Sequence, residues 1–187
     1  KGDPLKPRNI KSRIFIDGGN PAETQEIIRE LGFLDGQTTN PSLISQNPDA
    51  EKRIKSGKKF HKEELLNFYR EVVQELARIM PGGSISIEVY ADAATRAEHM
   101  LEQGRQMFFW IPNGQIKFPT TKEGLMAASQ AVKEKIRVNM TLCFQQEQAA
   151  AVYAATAGAA RGDVYVSPFV GRLDDRTICK LLTEEKP

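Results

Sequence analysis

The chain has 187 residues, 40% of them hydrophobic and 27% charged, and its 26 Lys and Arg against 24 Asp and Glu leave a formal net charge of +2. That length predicts one domain with a sizeable core. The near balance of charge gives no reason for a nucleic-acid or membrane-surface partner.

Cys143 and Cys179 are too few for a disulfide framework and fit a reducing compartment. No apolar run approaches the ~20 residues of a membrane span. The polar N-terminus lacks the apolar stretch of a signal peptide, so the expected location is cytoplasmic. The densest basic run, Lys52 to Lys59, has no interleaved aromatics and reads as a solvated loop.

In chain order, Arg13 to Asp17 reads as a compact strand. Asn20, Pro21 and Glu23 supply an N-cap, a first-turn proline and a first-turn acid, and Gly32 stops the helix they open. Phe33 to Thr38 is a second short strand running into Thr39-Asn40-Pro41-Ser42. Ser45 to Lys59 is polar and carries little pattern. A strong amphipathic helix follows from about Lys62 to Met80, with Leu65, Leu66, Phe68, Tyr69, Val72, Val73, Leu76 and Ile79 as its buried stripe. Ser84 to Tyr90 alternates like a strand, and a helix from about Ala93 to Gln103 closes at Gly104. Met107 to Ile111 and Gln115 to Phe118 flank Pro112-Asn113-Gly114, whose Asn-Gly step predicts a hairpin. Thr120 to Glu123 fits a capping box for a helix to about Glu134. Ile136 to Phe144 is strand, Gln145 to Ala160 an alanine-rich helix, Val164 to Phe169 strand, and Asp175 to Thr183 a last short helix.

Six strand signals, mostly separated by helices, predict a parallel sheet of βα units. The turn after the first strand, Asp17-Gly18-Gly19-Asn20-Pro21, fits neither the dinucleotide fingerprint nor the P-loop. Polar residues instead recur near the carboxyl ends of the strands, where the catalytic groups of a barrel gather. A (β/α)8 barrel is therefore expected over an open doubly wound sheet.

Lys117 lies between Ile116 and Phe118, which share the opposite face of their strand. If those two face the helices, the ammonium points into the barrel. Removal from water favours the neutral amine, a nucleophile that forms an imine with a ketone and so creates an electron sink for an adjacent C–C bond. The plain alternative is an edge-strand lysine reaching solvent. Asn139 and Thr141 lie two apart among Val138, Met140 and Leu142; Glu88 lies between Ile87 and Val89; Asp17 caps the first strand. Five such groups on four strands point to a shared site, against the alternative of a coincidental polar network.

Thr38-Thr39-Asn40-Pro41-Ser42-Leu43-Ile44, Ile116-Lys117-Phe118-Pro119 with Thr121 and Glu123-Gly124-Leu125, Asn139-Met140-Thr141-Leu142, and Ser167-Pro168-Phe169-Val170-Gly171-Arg172 resemble the signatures of the transaldolase family, in that family's order. The resemblance spans about Ile14 to Asp174. It implies a (β/α)8 barrel that transfers a dihydroxyacetone unit among sugar phosphates such as fructose 6-phosphate, sedoheptulose 7-phosphate, erythrose 4-phosphate and glyceraldehyde 3-phosphate. By the same resemblance Lys117 is the Schiff-base lysine and Asp17 the acid/base of C–C cleavage. Glu88 and Thr141 position the water of imine formation, and Asn40 and Asn139 hydrogen-bond the substrate or intermediate. Ser167 and Arg172 match part of a phosphate site, and Phe169 an aromatic beside the water.

An Arg fork suits phosphate on chemical grounds as well. Fructose-6-phosphate aldolases are similar in plan, but their third strand carries Gln where this chain has Glu88. His61 and His99 receive no role. No cluster has metal-ligand spacing, so no metal and no cofactor are expected.

A barrel of this kind typically needs ~250 residues, and only six of its eight βα units are evident over residues 1–187. A single barrel domain lacking strands seven and eight is expected. A piece of a longer polypeptide, or residues absent from the sequence, is favoured over completion by another chain, and the 187 residues alone are expected to be weakly active or inactive. Two other activities stay in view: aldolase-type cleavage, and a non-catalytic sugar-phosphate-binding barrel. A symmetric homo-oligomer is the general expectation.

Overall fold

The computed structural model describes residues 6, 7 and 9–171. Six strands, β1 (Phe15–Asp17), β2 (Gly36–Thr38), β3 (Ser84–Glu88), β4 (Gly114–Pro119), β5 (Val138–Cys143) and β6 (Val164–Pro168), form one sheet in the order of the sequence, every neighbouring pair parallel. The connections carry helices α1 (Pro21–Leu31), α2 (Pro41–Ser45), α3 (Pro48–Lys55), α4 (Lys62–Ile79), α5 (Ala97–Phe108), α6 (Lys122–Lys133) and α7 (Gln146–Ala155). A doubly wound sheet reverses its strand order at a switch point. This one never does, so right-handed crossovers stack the helices on one face.

The sheet curls around its other face. Five strand spacings in a flat sheet would separate β1 from β6 by about 24 Å. Yet the rings of Phe15 and Tyr165, on those two strands, meet edge-on with centroids 5.7 Å apart, and Arg13 donates to the Tyr165 hydroxyl at 2.9 Å. The fold is six-eighths of a (β/α)8 barrel, as the strand and helix pattern predicts.

Strand alternation sorts the chemistry. Ile85, Ile87, Ile116, Phe118, Val138 and Met140 are fully buried in the layer between sheet and helices. Ser86, Gln115, Lys117, Asn139 and Thr141 take the intervening positions, all buried. The core is thus outside the barrel wall, and the barrel interior is polar.

Several expectations are corrected. The hairpin at Met107 to Phe118 does not form. Ala97, Met100, Leu101, Gly104 and Met107 are the buried positions of α5 and recur at helical spacing, so Met107 belongs to that helix and Asn113-Gly114 is the turn into a parallel strand. Gly104 does not stop α5 either. A Cβ there would lie 2.9 Å from Phe118 Cζ, so the glycine is the point where helix meets strand. The helix begins at Ala97 rather than Ala93.

The weakly patterned Ser45 to Lys59 carries helices, since Asn40 caps α2 and Asn47 caps α3, each followed by proline at the first helical position. Of the run Lys52 to Lys59 expected as a loop, Lys52 to Lys55 is the last turn of α3 and only 56–59 is outside it. α6 is capped one residue later than expected, by Thr121, whose hydroxyl accepts from the Gly124 N–H. Thr120 instead donates to the Thr141 carbonyl, and Glu123 accepts from the Ala97 N–H. α7 ends at Ala155. The helix expected from Asp175 to Thr183 lies outside the described residues.

Candidate active site

At the carboxyl ends of the strands a cleft of ≈ 580 Å³ opens between the loops, lined by Asp17, Thr38, Asn40, Glu88, Tyr90, Lys117, Thr141, Leu142, Ser167 and Phe169 among others. Lys117 stands on β4 with Ile116 and Phe118 packed against α5, so its side chain enters the barrel, as expected. It is 5% exposed. Its Nζ donates to the Thr39 carbonyl at 3.0 Å and lies 3.1 Å from Glu88 Oε2. A charge this buried needs such partners. The β3–β4 register sets Glu88 directly beside Lys117, and that pairing makes the ion pair a consequence of the ladder.

Asp17 stands exposed at the end of β1, where its Oδ1 accepts from the Thr38 hydroxyl at 2.6 Å. Thr141 is buried and lines the cleft; its carbonyl accepts from both the N–H and the hydroxyl of Thr120, at 2.7 Å each. The next residue, Leu142, has φ 58, and the β5–β6 register breaks between Met140 and Cys143. A branched side chain rarely takes that left-handed backbone, which costs about 1–3 kcal/mol. The bulge turns Leu142 to the cleft beside Thr141.

Asn40 accepts from the Leu43 N–H as the α2 cap, which leaves its NH2 as the donor it can offer the cleft. Asn139 is 1% exposed and lies beneath the cleft rather than on its wall. Its NH2 donates to Ser86 at 3.0 Å and its carbonyl accepts from Ser167 at 2.8 Å. Ser167 and Phe169 both line the cleft; the Phe169 ring meets Phe144 edge-on with centroids 5.3 Å apart, and its N–H donates to the Cys143 carbonyl. Arg172 lies outside the described residues.

The cleft therefore holds a buried amine beside a carboxylate, and a second carboxylate, hydroxyl groups and an amide also line it. The family model for transaldolase/fructose-6-phosphate aldolase matches residues 14–186. The chain belongs to that family. Proteins named probable transaldolase are similar over 163 residues, 87% of this chain: 39% identical in Dehalococcoides mccartyi, 38% in Thermoplasma volcanium and 43% in Heliobacterium modesticaldum, over 63%, 61% and 62% of those proteins. The chain thus spans less than two thirds of the length of these relatives.

Within this family member the structure adds groups that the sequence did not single out. Thr38 orients Asp17, the Thr39 carbonyl holds the lysine, and Ser86 holds Asn139. Tyr69, counted only as part of the apolar stripe of α4, meets the Thr39 hydroxyl with its own and accepts from the Glu88 N–H. A phenol in an apolar stripe needs a partner for its OH, and that was the available signal. Among the described residues no group of three His, Cys, Asp or Glu is placed to hold a metal ion, and no helix is long and apolar enough to cross a membrane.

Proposed function

We propose that this chain carries the active site of a transaldolase-type enzyme, in which Lys117 forms a Schiff base with a ketose phosphate and transfers a dihydroxyacetone unit to an aldose phosphate. The observation that carries the reading is the Lys117–Glu88 pair, an amine 5% exposed at the wall of a cleft with a carboxylate 3.1 Å away.

A nucleophilic amine must first lose a proton, and Glu88 is within reach to take it. The neutral nitrogen adds to the ketose carbonyl, giving a carbinolamine. Glu88 returns that proton to the carbinolamine hydroxyl, which leaves as water held by Thr141 and Glu88, and the product is the protonated imine. Asp17 then takes the proton of the hydroxyl on the far side of the C–C bond. That bond breaks, its electron pair moves to the imine as an enamine, and an aldose leaves. Attack of the enamine on an acceptor aldehyde and hydrolysis of the imine return the amine. Asn40 suits a substrate hydroxyl. Asn139, engaged with Ser86 and Ser167, orients the wall beside the lysine. Ser167 together with Arg172 suits the phosphate.

The test is borohydride reduction with fructose 6-phosphate followed by peptide mass spectrometry. A dihydroxyacetone adduct on Lys117 is expected; an adduct on a different lysine would remove the assignment. Adding erythrose 4-phosphate separates transfer from cleavage: transfer yields sedoheptulose 7-phosphate, whereas cleavage alone releases free dihydroxyacetone.

A further inference from the structure

The Lys117 nitrogen meets the Thr39 carbonyl and the Glu88 carboxylate, and these two residues are joined through other atoms, the Thr39 hydroxyl and the Glu88 backbone N–H, by one phenol. Tyr69 is 3% exposed on α4, and its hydroxyl lies 2.7 Å from Thr39 Oγ1 and 2.9 Å from the Glu88 backbone nitrogen. The donors can be assigned by elimination. The Ser86 carbonyl can only accept, so the Thr39 hydroxyl at 2.7 Å gives it its proton. Thr39 Oγ1 must then accept from Tyr69. The Glu88 N–H can only donate, so it donates to the Tyr69 oxygen. Every hydrogen in the chain Glu88 N–H to Tyr69, Tyr69 to Thr39, Thr39 to Ser86 carbonyl is used once. Burial pushes the Tyr69 phenol above its ordinary range, which keeps it the donor this chain requires.

The reason for a phenol at this place is in the register. β2 pairs with β3 only as far as Thr38 opposite Ser86. Thr39 still reaches back with its N–H to the Ser86 carbonyl, and Asn40 then begins the turn into α2. β3 continues to Glu88 along β4. The Glu88 N–H therefore points toward a neighbour that has already left the ladder, and a buried N–H without an acceptor is costly. The Tyr69 oxygen takes the place of the missing strand.

We propose that Tyr69 is a positioning residue for Lys117. By tying the backbone N–H of Glu88 to the side-chain hydroxyl of Thr39, it fixes the spacing of the two residues that supply the acceptors beside the lysine nitrogen. The inference rests on the proposed Schiff-base role of Lys117 for its catalytic consequence, though the coupling itself can be measured without substrate.

Tyr69→Phe keeps the ring and removes the bridge, and Thr39→Val breaks the same chain from the other side. In substrate-free protein, the extent of Lys117 acylation is followed against pH by peptide mass spectrometry. With the acceptors no longer held, the ammonium is less favoured, and half-maximal acylation is expected at a pH lower by about half a unit or more in each variant. The double variant should move no further than either alone, because one chain of bonds is cut twice. In the borohydride experiment the trapping rate is expected to fall about tenfold, with the half-saturating ketose concentration changed less than about twofold.

A merely structural Tyr69 would lower the melting temperature and leave the acylation profile in place, which would overturn the proposal, as would additive shifts from the two substitutions. If Tyr69→Phe does not fold, Thr39→Val alone decides by the same profile. Absence of any Lys117 adduct in the parent protein would count against the Schiff base, while the acylation arm would still judge Tyr69.

Discussion

The mouth and the floor of the curled sheet are made by the same strands, yet they use polar atoms in opposite ways. At the mouth the charged and amide groups answer one another across strands: Lys117 with Glu88 and Thr39, Asp17 with Thr38, Asn139 with Ser86 and Ser167. At the floor a cavity of ≈ 760 Å³ is lined by Ser84, Asn113 and Gln115, and the buried Ser84 Oγ, Asn113 Oδ1 and Gln115 Oε1 have no hydrogen-bond partner among the described residues. The floor's charges go to backbone and to surface pairs. Burial alone would raise the Asp35 carboxyl, but Lys6 and the Ile14 N–H together hold it below its ordinary value. Arg105, helped by Gln130, holds Glu134 at about 2. The difference teaches where the chain satisfies its polar atoms: charges at the mouth face one another across strands, while those at the floor are held by backbone and surface partners.

The largest effect that could break this contrast is at the lysine. As the proposed nucleophile, Lys117 would carry the trapped ketose, so Lys117→Met is expected to lower borohydride trapping on the protein by at least about 10³-fold, read by peptide mass spectrometry. The double variant Lys117→Met/Glu88→Leu, which removes both charges together, should nonetheless melt within about 3 °C of the parent, or above it, because replacing a whole buried ion pair by apolar side chains is often neutral or stabilising. A fall of about 10 °C would make the pair structural and erase the distinction.

A smaller effect sharpens the floor. Ser84→Ala removes a buried hydroxyl without a partner among the described residues, and a gain of about 1 kcal/mol is expected in urea unfolding. A loss of that size would show that the hydroxyl is satisfied after all.

The smallest effect concerns acid. The carboxyl of Glu134 is depressed from 4.5 to about 2, so its contribution is fully present above about pH 4.5 and is lost as pH falls through about 2. Arg105→Gln should lower the melting temperature by about 1–3 °C at pH 7, a modest amount because the pair is partly solvated. Parent and variant should converge near pH 2. A gap that persists there would mean that Arg105 acts through packing instead.

Much of this architecture could be read from residue types. The stripe of α4, the Asn20-Pro21 start and Gly32 stop of α1, and the alternation around Lys117, Glu88 and Asn139 are side-chain signals with a fixed period, and each element lies where that period places it. The misreadings share a cause. Asn113-Gly114 is locally a hairpin step and Gly104 locally a helix stop, but the packing of α5 on Phe118 outweighs both. The Thr39 carbonyl that holds the lysine is a backbone atom and has no residue code. Tyr69 was hidden because its ring obeys the apolar pattern while its hydroxyl obeys another. The bulge at Leu142 depends on a register break that no spacing announces.

The strictly sequential strand order has a consequence for how the molecule is made. Each strand after the first pairs with the strand synthesised just before it, so a nascent chain can extend the sheet one βα unit at a time from the edge last formed, while the outer edge of β1 has no partner strand among the described residues. Each closure spans one crossover, the longest being that between β2 and β3, and the entropic cost grows only slowly with loop length. Assembly from the N-terminus onward follows the direction in which the ribosome delivers the residues.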